Sequence, residues 1–186
     1  MDTAATAQID LTPVRRAMIL VTVVLATTLY GTTLLVVSTI LPQMQGSFAA
    51  TADEIAWAMT FNILAAAIVT PMSGWLAGRF GTREVMVWSL AGFTVSTFMC
   101  GAADSLESLV FWRILQGGFG APSTPLTQSI LLTVFPRNQQ TRVMGIFGVG
   151  VVLGPIIGPM LGGVMAESYN WRWAFYALVP VGVAAT

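Results

Sequence analysis

The chain has 186 residues, of which 55% are hydrophobic and 9% charged, where about 25% charged is usual in a soluble domain. So few charges cannot dress a water-facing surface, and so much apolar content is incompatible with disorder, which excludes a soluble globule and an unfolded chain alike. Eight Arg balance eight Asp plus Glu, there is no His, and Cys100 is the single cysteine, which excludes nucleic-acid binding, His/Cys metal sites, disulfide frameworks and histidine-based catalysis.

A helix needs about 20 apolar residues to cross the hydrocarbon core, and the chain offers a succession of such runs. A tail over residues 1–16 ends in Arg15 and Arg16, and the first span follows over about 17–41. It is too long for the core of a cleavable signal and should stay attached. The second span covers about 55–77. It leads into Gly74-Trp75-Leu76-Ala77-Gly78-Arg79-Phe80-Gly81-Thr82-Arg83, where Gly78 and Gly81 allow a tight reversal and Arg79 complements the helix C-terminus. A gate and an ordinary arginine-rich loop are both compatible with this stretch.

The third span runs over about 85–103 and the fourth over about 108–135, interrupted only by Arg113. A charge inside a span costs at least ~2.5 kcal/mol, so Arg113 should either face the bundle with a partner or reach back to Asp104 and Glu107 by its long stem. The fifth span, about 143–165, carries Gly150, Gly154, Gly158 and Gly162 at every fourth position, with Pro155 and Pro159 interleaved. Residues four apart share one ridge, so these glycines cut a groove for a neighbouring helix. Plain close packing and a moving hinge are both open. The sixth span, about 173–186, is too short to cross and reads as cut, so the chain reads as a fragment.

Continuous apolar runs without dyad alternation favour helices over a β-barrel. Arg15, Arg16, Arg79, Arg83, Arg137 and Arg142 fall at one end of the spans. Asp53, Glu54, Asp104, Glu107 and Glu167 fall at the other, with only Arg172. Short cytoplasmic loops collect arginine, so the N-terminus should be cytoplasmic.

From about Leu29 onward these residues resemble the major facilitator superfamily. Gly74, Arg79, Gly81 and Arg83 are similar to its G-x-L-a-D-R-x-G-r signature between helices two and three, with Gly78 in place of the usual Asp. Arg113, Gln116 and Gly117 resemble the R-x-x-Q-G-x-G-A of helix four. Gly154, Pro155, Gly158, Gly162 and Gly163 are similar to the antiporter signature of helix five. Trp171 to Pro180 resembles the W-R-W-x-F-x-x-N-x-P that opens helix six in the fourteen-helix drug:proton antiporter branch, the multidrug resistance protein B type.

The resemblance implies an all-α integral membrane fold, a polytopic transmembrane bundle of major facilitator type, present as its first half: about six helices, the sixth truncated. It implies proton-coupled efflux of hydrophobic or cationic drugs by alternating access, in the cell inner membrane. No enzyme activity, catalytic residue, metal or cofactor is implied, the proton gradient being the energy source. Its expected partners are the drugs, the lipid bilayer, the missing C-terminal half and a periplasmic adaptor. Gln116, Asn62 and Gln128 are polar points for substrate or for helix–helix hydrogen bonds. Thr33 stands where many members carry a helix-one Asp, so a proton carrier falls to an edge residue such as Glu84 or to the absent part. The competing reading is a non-transporting membrane scaffold or accessory protein that binds partner helices through the glycine groove. A channel would need a filter or charged ring, and the spans contain neither.

Overall fold

The computed structural model describes residues 12–186, which form helices and connecting turns with no strand among them. Of the tail over residues 1–16, residues 1–11 lie outside the described part, and Arg15 and Arg16 belong to the first helix. That helix, α1, is Pro13–Phe48, followed by α2 Ala52–Phe80, α3 Thr82–Ala102, α4 Leu106–Gly120, α5 Ser123–Val134, α6 Arg137–Ser168, α7 Trp171–Tyr176 and α8 Val179–Ala185. α1, α2, α3 and α6 are each long and apolar enough to cross a membrane.

The fourth apolar run, read from the sequence as one helix, is broken. Ala121 and Pro122 keep right-handed helical angles, but Pro122 and Pro125 have no N–H to give back to the preceding turn. α4 and α5 are therefore one helical column with an interruption at its middle. The same reasoning joins α7 to α8: Ala177 and Leu178 stay helical, and Pro180 removes a donor. The eight segments thus make six columns.

The connections are shorter than the charge-free runs suggest, because the helices extend past them. Gly81 alone separates α2 from α3. α2 begins with a capping box, Thr51 and Glu54 bonding each other's backbone N–H at 3.3 and 2.8 Å, which satisfies two donors left free at a helix start.

α1 and α6 share the most extensive packing, and α4 lies against both α2 and α3. Two apolar clusters stack along the helix axes. One, at the acidic end, joins Val36, Ile40, Met44, Ile55, Leu109 and Phe175. The other, at the arginine end, joins Val23, Met86, Leu90, Leu126, Leu131 and Phe147. Lipid tails are as apolar as these side chains, so close packing and interhelical hydrogen bonds must hold the helices together.

Candidate functional site

The first constellation is built around Arg113, which is 1% exposed. α4 turns it inward between α2 and α3. Its Nε donates to the Ala58 carbonyl at 3.3 Å, and its Nη1 donates to Gln116 Oε1 one turn further on. Gln116 Nε2 donates to Thr97 Oγ1 of α3 at 2.7 Å, and the Thr97 hydroxyl donates in turn to the Phe93 carbonyl at 2.7 Å. Asn62 of α2 closes the other side, its Nδ2 donating to the Arg113 carbonyl at 2.8 Å. The network ties α2, α3 and α4 through a buried cation whose partners are neutral acceptors.

Of the two placements open for Arg113 in the sequence, the structure takes the inward one. Asp104 is instead paired with Arg172, Nη2 to Oδ1 at 3.5 Å, and is almost fully exposed. Among the described residues this is the one ion pair. It also explains the lone arginine at the acidic end: Arg172 donates to the Gly101 and Ala103 carbonyls at 2.9 and 2.6 Å, closing the α3 C-terminus, and lies 4.8 Å over the Trp171 ring.

Gly117 shows why the residue after Gln116 is small. A Cβ there would run into the Asn62 carbonyl oxygen and lie 3.1 Å from the Asn62 Cα. Only a glycine lets α2 come close enough for Asn62 to reach the Arg113 carbonyl. Asn62 and Gln116 thus serve helix–helix hydrogen bonds, while Gln128 is exposed on α5. Thr97 escaped the sequence reading; its one signal is a hydroxyl residue inside an apolar span.

The second constellation is the α1–α6 seam. A Cβ at Gly154 would meet the Thr28 carbonyl oxygen at 2.6 Å and the Thr32 nitrogen at 3.0 Å. At Gly158 it would meet the Thr32 oxygen at 2.6 Å and the Val36 nitrogen at 3.1 Å, and at Gly162 the Val36 oxygen at 3.1 Å. Gly150 faces Val24 and Thr28, and Thr28 Oγ1 donates to the Gly150 carbonyl at 2.9 Å. Pro155 sits against Gly31, 3.2 Å from where its Cβ would be. The seam is thus backbone against backbone for three turns, with a proline knob opposite a glycine hole. Gly163 is in open space and takes no part. Pro155 and Pro159 leave α6 without two of its own hydrogen bonds, although the helix remains continuous.

The third stretch, Gly74 to Arg83, does not bring its motif residues into one site. Gly74 and Gly78 are helical with nothing near them, so Gly78 takes no part in the reversal, and Arg79 and Arg83 are exposed. Gly81 alone makes the turn, at φ +91°, a region other residues enter only under strain.

The family profile of the Major Facilitator Superfamily matches residues 23–186. Over 144 residues the chain is 35% identical to the multidrug export protein EmrB of Escherichia coli (strain K12), covering 77% of this chain and 28% of that protein. Over 162 residues it is 37% identical to a multidrug resistance protein B homolog of Mycobacterium tuberculosis (strain ATCC 25618 / H37Rv), covering 87% and 30%. The chain therefore spans under a third of the length of these relatives. Among solved structures, a proton:xylose symporter superimposes with a TM-score of 0.81 at 15% identity, over 91% of this chain and 43% of that one. At that identity the likeness concerns the fold, the first half of a major facilitator bundle.

Proposed function

Because this multi-pass membrane chain belongs to the Major Facilitator Superfamily, we propose that it is the N-terminal part of an inner-membrane transporter, not an enzyme, that exports hydrophobic or cationic drugs in exchange for protons. The N-terminus is cytoplasmic, the remaining helices of the transporter complete the substrate cavity, and a periplasmic adaptor is a further partner. The observation that carries the exporter reading is the α1–α6 seam, where the residues that resemble an antiporter signature make the most extensive helix contact among the described residues.

In this reading the molecule has a rigid part and a sliding part. The Arg113–Gln116–Thr97 chain, with Asn62, locks α2, α3 and α4 together. Along Gly154, Gly158 and Gly162 the seam between α1 and α6 is backbone against backbone, interrupted by Pro155 opposite Gly31 and by the Thr28 hydrogen bond to the Gly150 carbonyl. With so few side chains between the two backbones, the contact can slide once that knob and that hydrogen bond shift, as switching between inward-open and outward-open states demands. A bias of ~1.4 kcal/mol shifts the two populations tenfold, so small changes at the seam act directly on cycling. Arg113 assists proton or substrate handling through the helices it fixes.

The test is drug accumulation in cells stripped of their own exporters. Expression of the intact protein should lower the steady-state content of a fluorescent cation, and a protonophore should restore it. Equal accumulation with and without the protein would contradict export.

A further inference from the structure

α2 and α3 meet at Gly81 and touch each other little, while α4 packs against both. The pair therefore opens over α4 into a groove of about 940 Å³, within the size range of small-molecule sites. Its walls are almost wholly apolar, and they include four aromatic rings, Phe61, Phe80, Trp88 and Phe119. The only charged side chain among them is Glu84.

Glu84 and Trp88 are four residues apart on α3 and so share a face. Both are exposed, Trp88 by 70%. Phe80 stands across from them at the end of α2. Neither neighbouring arginine is within ion-pair distance of Glu84. Arg83 lines a different groove, with residues of α1 and α5, and Arg79 lies 6.0 Å from the Phe80 ring centre. Among the described residues Glu84 is the one acid at the end of the bundle that holds Arg79, Arg83, Arg137 and Arg142. It has no ion-pair partner among them.

A carboxylate in the first turn of a helix is favourable without any ligand, and a bare apolar groove suits a lipid tail. What neither accounts for is the combination: a free carboxylate at the rim, aromatic faces beside it, and an apolar trough leading away. From Phe80 to Phe61 the trough follows 19 residues of α2, about 28 Å at 1.5 Å per residue. Aromatic faces and a carboxylate are what recognises an organic cation.

We propose that the groove between α2 and α3 binds amphiphilic organic cations, with the apolar body along α2 and the positive head between Glu84, Trp88 and Phe80. The inference deepens the exporter reading, on which its link to transport rests, by giving the substrate class and a side access from the lipid.

The test uses two probes of the same shape and opposite charge, tetraphenylphosphonium and tetraphenylborate. Their equilibrium binding to the intact protein is measured in nanodiscs of uncharged lipid. The phosphonium should bind more tightly, and Glu84→Gln should weaken it about tenfold while borate binding stays equal or strengthens, which also shows that the variant is folded. Glu84→Asp should keep most of the phosphonium affinity, and Trp88→Leu should lose about threefold. Glu107→Gln, at the other end of the bundle, should change nothing. Equal binding of both probes, or phosphonium binding indifferent to Glu84→Gln, would overturn the site and leave a lipid seat or a surface covered by the rest of the protein. Export of the phosphonium is followed in parallel. Export unaffected by Glu84→Gln sinks the site alone, whereas Glu84-dependent binding without export sinks the exporter reading alone.

Discussion

Gly158 and Gly163 are both part of the helix-five signature, yet the structure gives them opposite fates. A Cβ at Gly158 would lie 2.6 Å from the Thr32 carbonyl oxygen, about 0.8 Å inside the 3.4 Å at which ordinary contact begins. The Val36 nitrogen, at 3.1 Å, closes the other side. Both obstacles are α1 backbone, so no rotamer change relieves them. Gly158→Ala must push α1 and α6 apart and loosen the contacts of Gly154 and Gly162 as well. Overpacking of this kind costs about 1–3 kcal/mol, against which replacing a mid-helix glycine gains about 0.5–1 kcal/mol. The net loss should be on the order of 1–2 kcal/mol. At Gly163 nothing lies within 4 Å of the new carbon, so only the gain applies. The two alanine variants should therefore differ by about 2 kcal/mol in SDS-induced unfolding of the purified intact protein. If their unfolding curves coincide, the backbone contact argued for the seam is wrong.

The other residues make separable forecasts. Arg113→Ala should lower the amount of folded protein and abolish drug resistance, because it leaves Gln116 Oε1 without its donor in a buried site and removes the bond to the Ala58 carbonyl, a loss of about 1–3 kcal/mol for the unsatisfied group. Arg113→Lys should keep part of both, since one ammonium cannot reproduce the planar fork; full resistance in the alanine variant would reduce Arg113 to a bystander. At the α2–α3 turn, Gly81→Ala should destabilise by about 1–2 kcal/mol because of its positive φ, while Gly78→Ala, helical and in open space, should be neutral or mildly stabilising; the order of the two unfolding midpoints decides. For orientation, a cysteine at the exposed Gln139 should react with an impermeant thiol reagent only after permeabilisation, and one at the exposed Asp53 in intact cells. Cys100 is buried and leaves a low background.

The number and order of the helical columns were legible because long charge-free runs have few alternatives in this composition. The break in the fourth column was not foreseen, although Pro122 and Pro125 stood in plain view: hydropathy is blind to a missing N–H. Motif glycines divide in the same way. Gly162 and Gly163 differ by a 100° rotation about the helix axis, which puts one in the seam and the other outside it. Gly78 and Gly81 differ by whether the helix has already ended. Arg113 was recognisable as costly, but its partners lie on other helices: Ala58 and Asn62 on α2, Thr97 on α3. Nothing in a single sequence fixes the register between helices, so the network had to await coordinates. The arginine at the wrong end, Arg172, likewise makes sense only once the α3 carbonyls are seen beside it.

Proton-coupled export is measured most directly with the intact protein reconstituted alone in liposomes that carry an imposed pH gradient and a trapped pH dye. Addition of an exported cation should produce a counterflow of protons that rises with drug concentration, stops with Arg113→Ala, and weakens per folded molecule with Gly158→Val. Drug movement with no proton counterflow, or no drug movement under any gradient, would contradict the account.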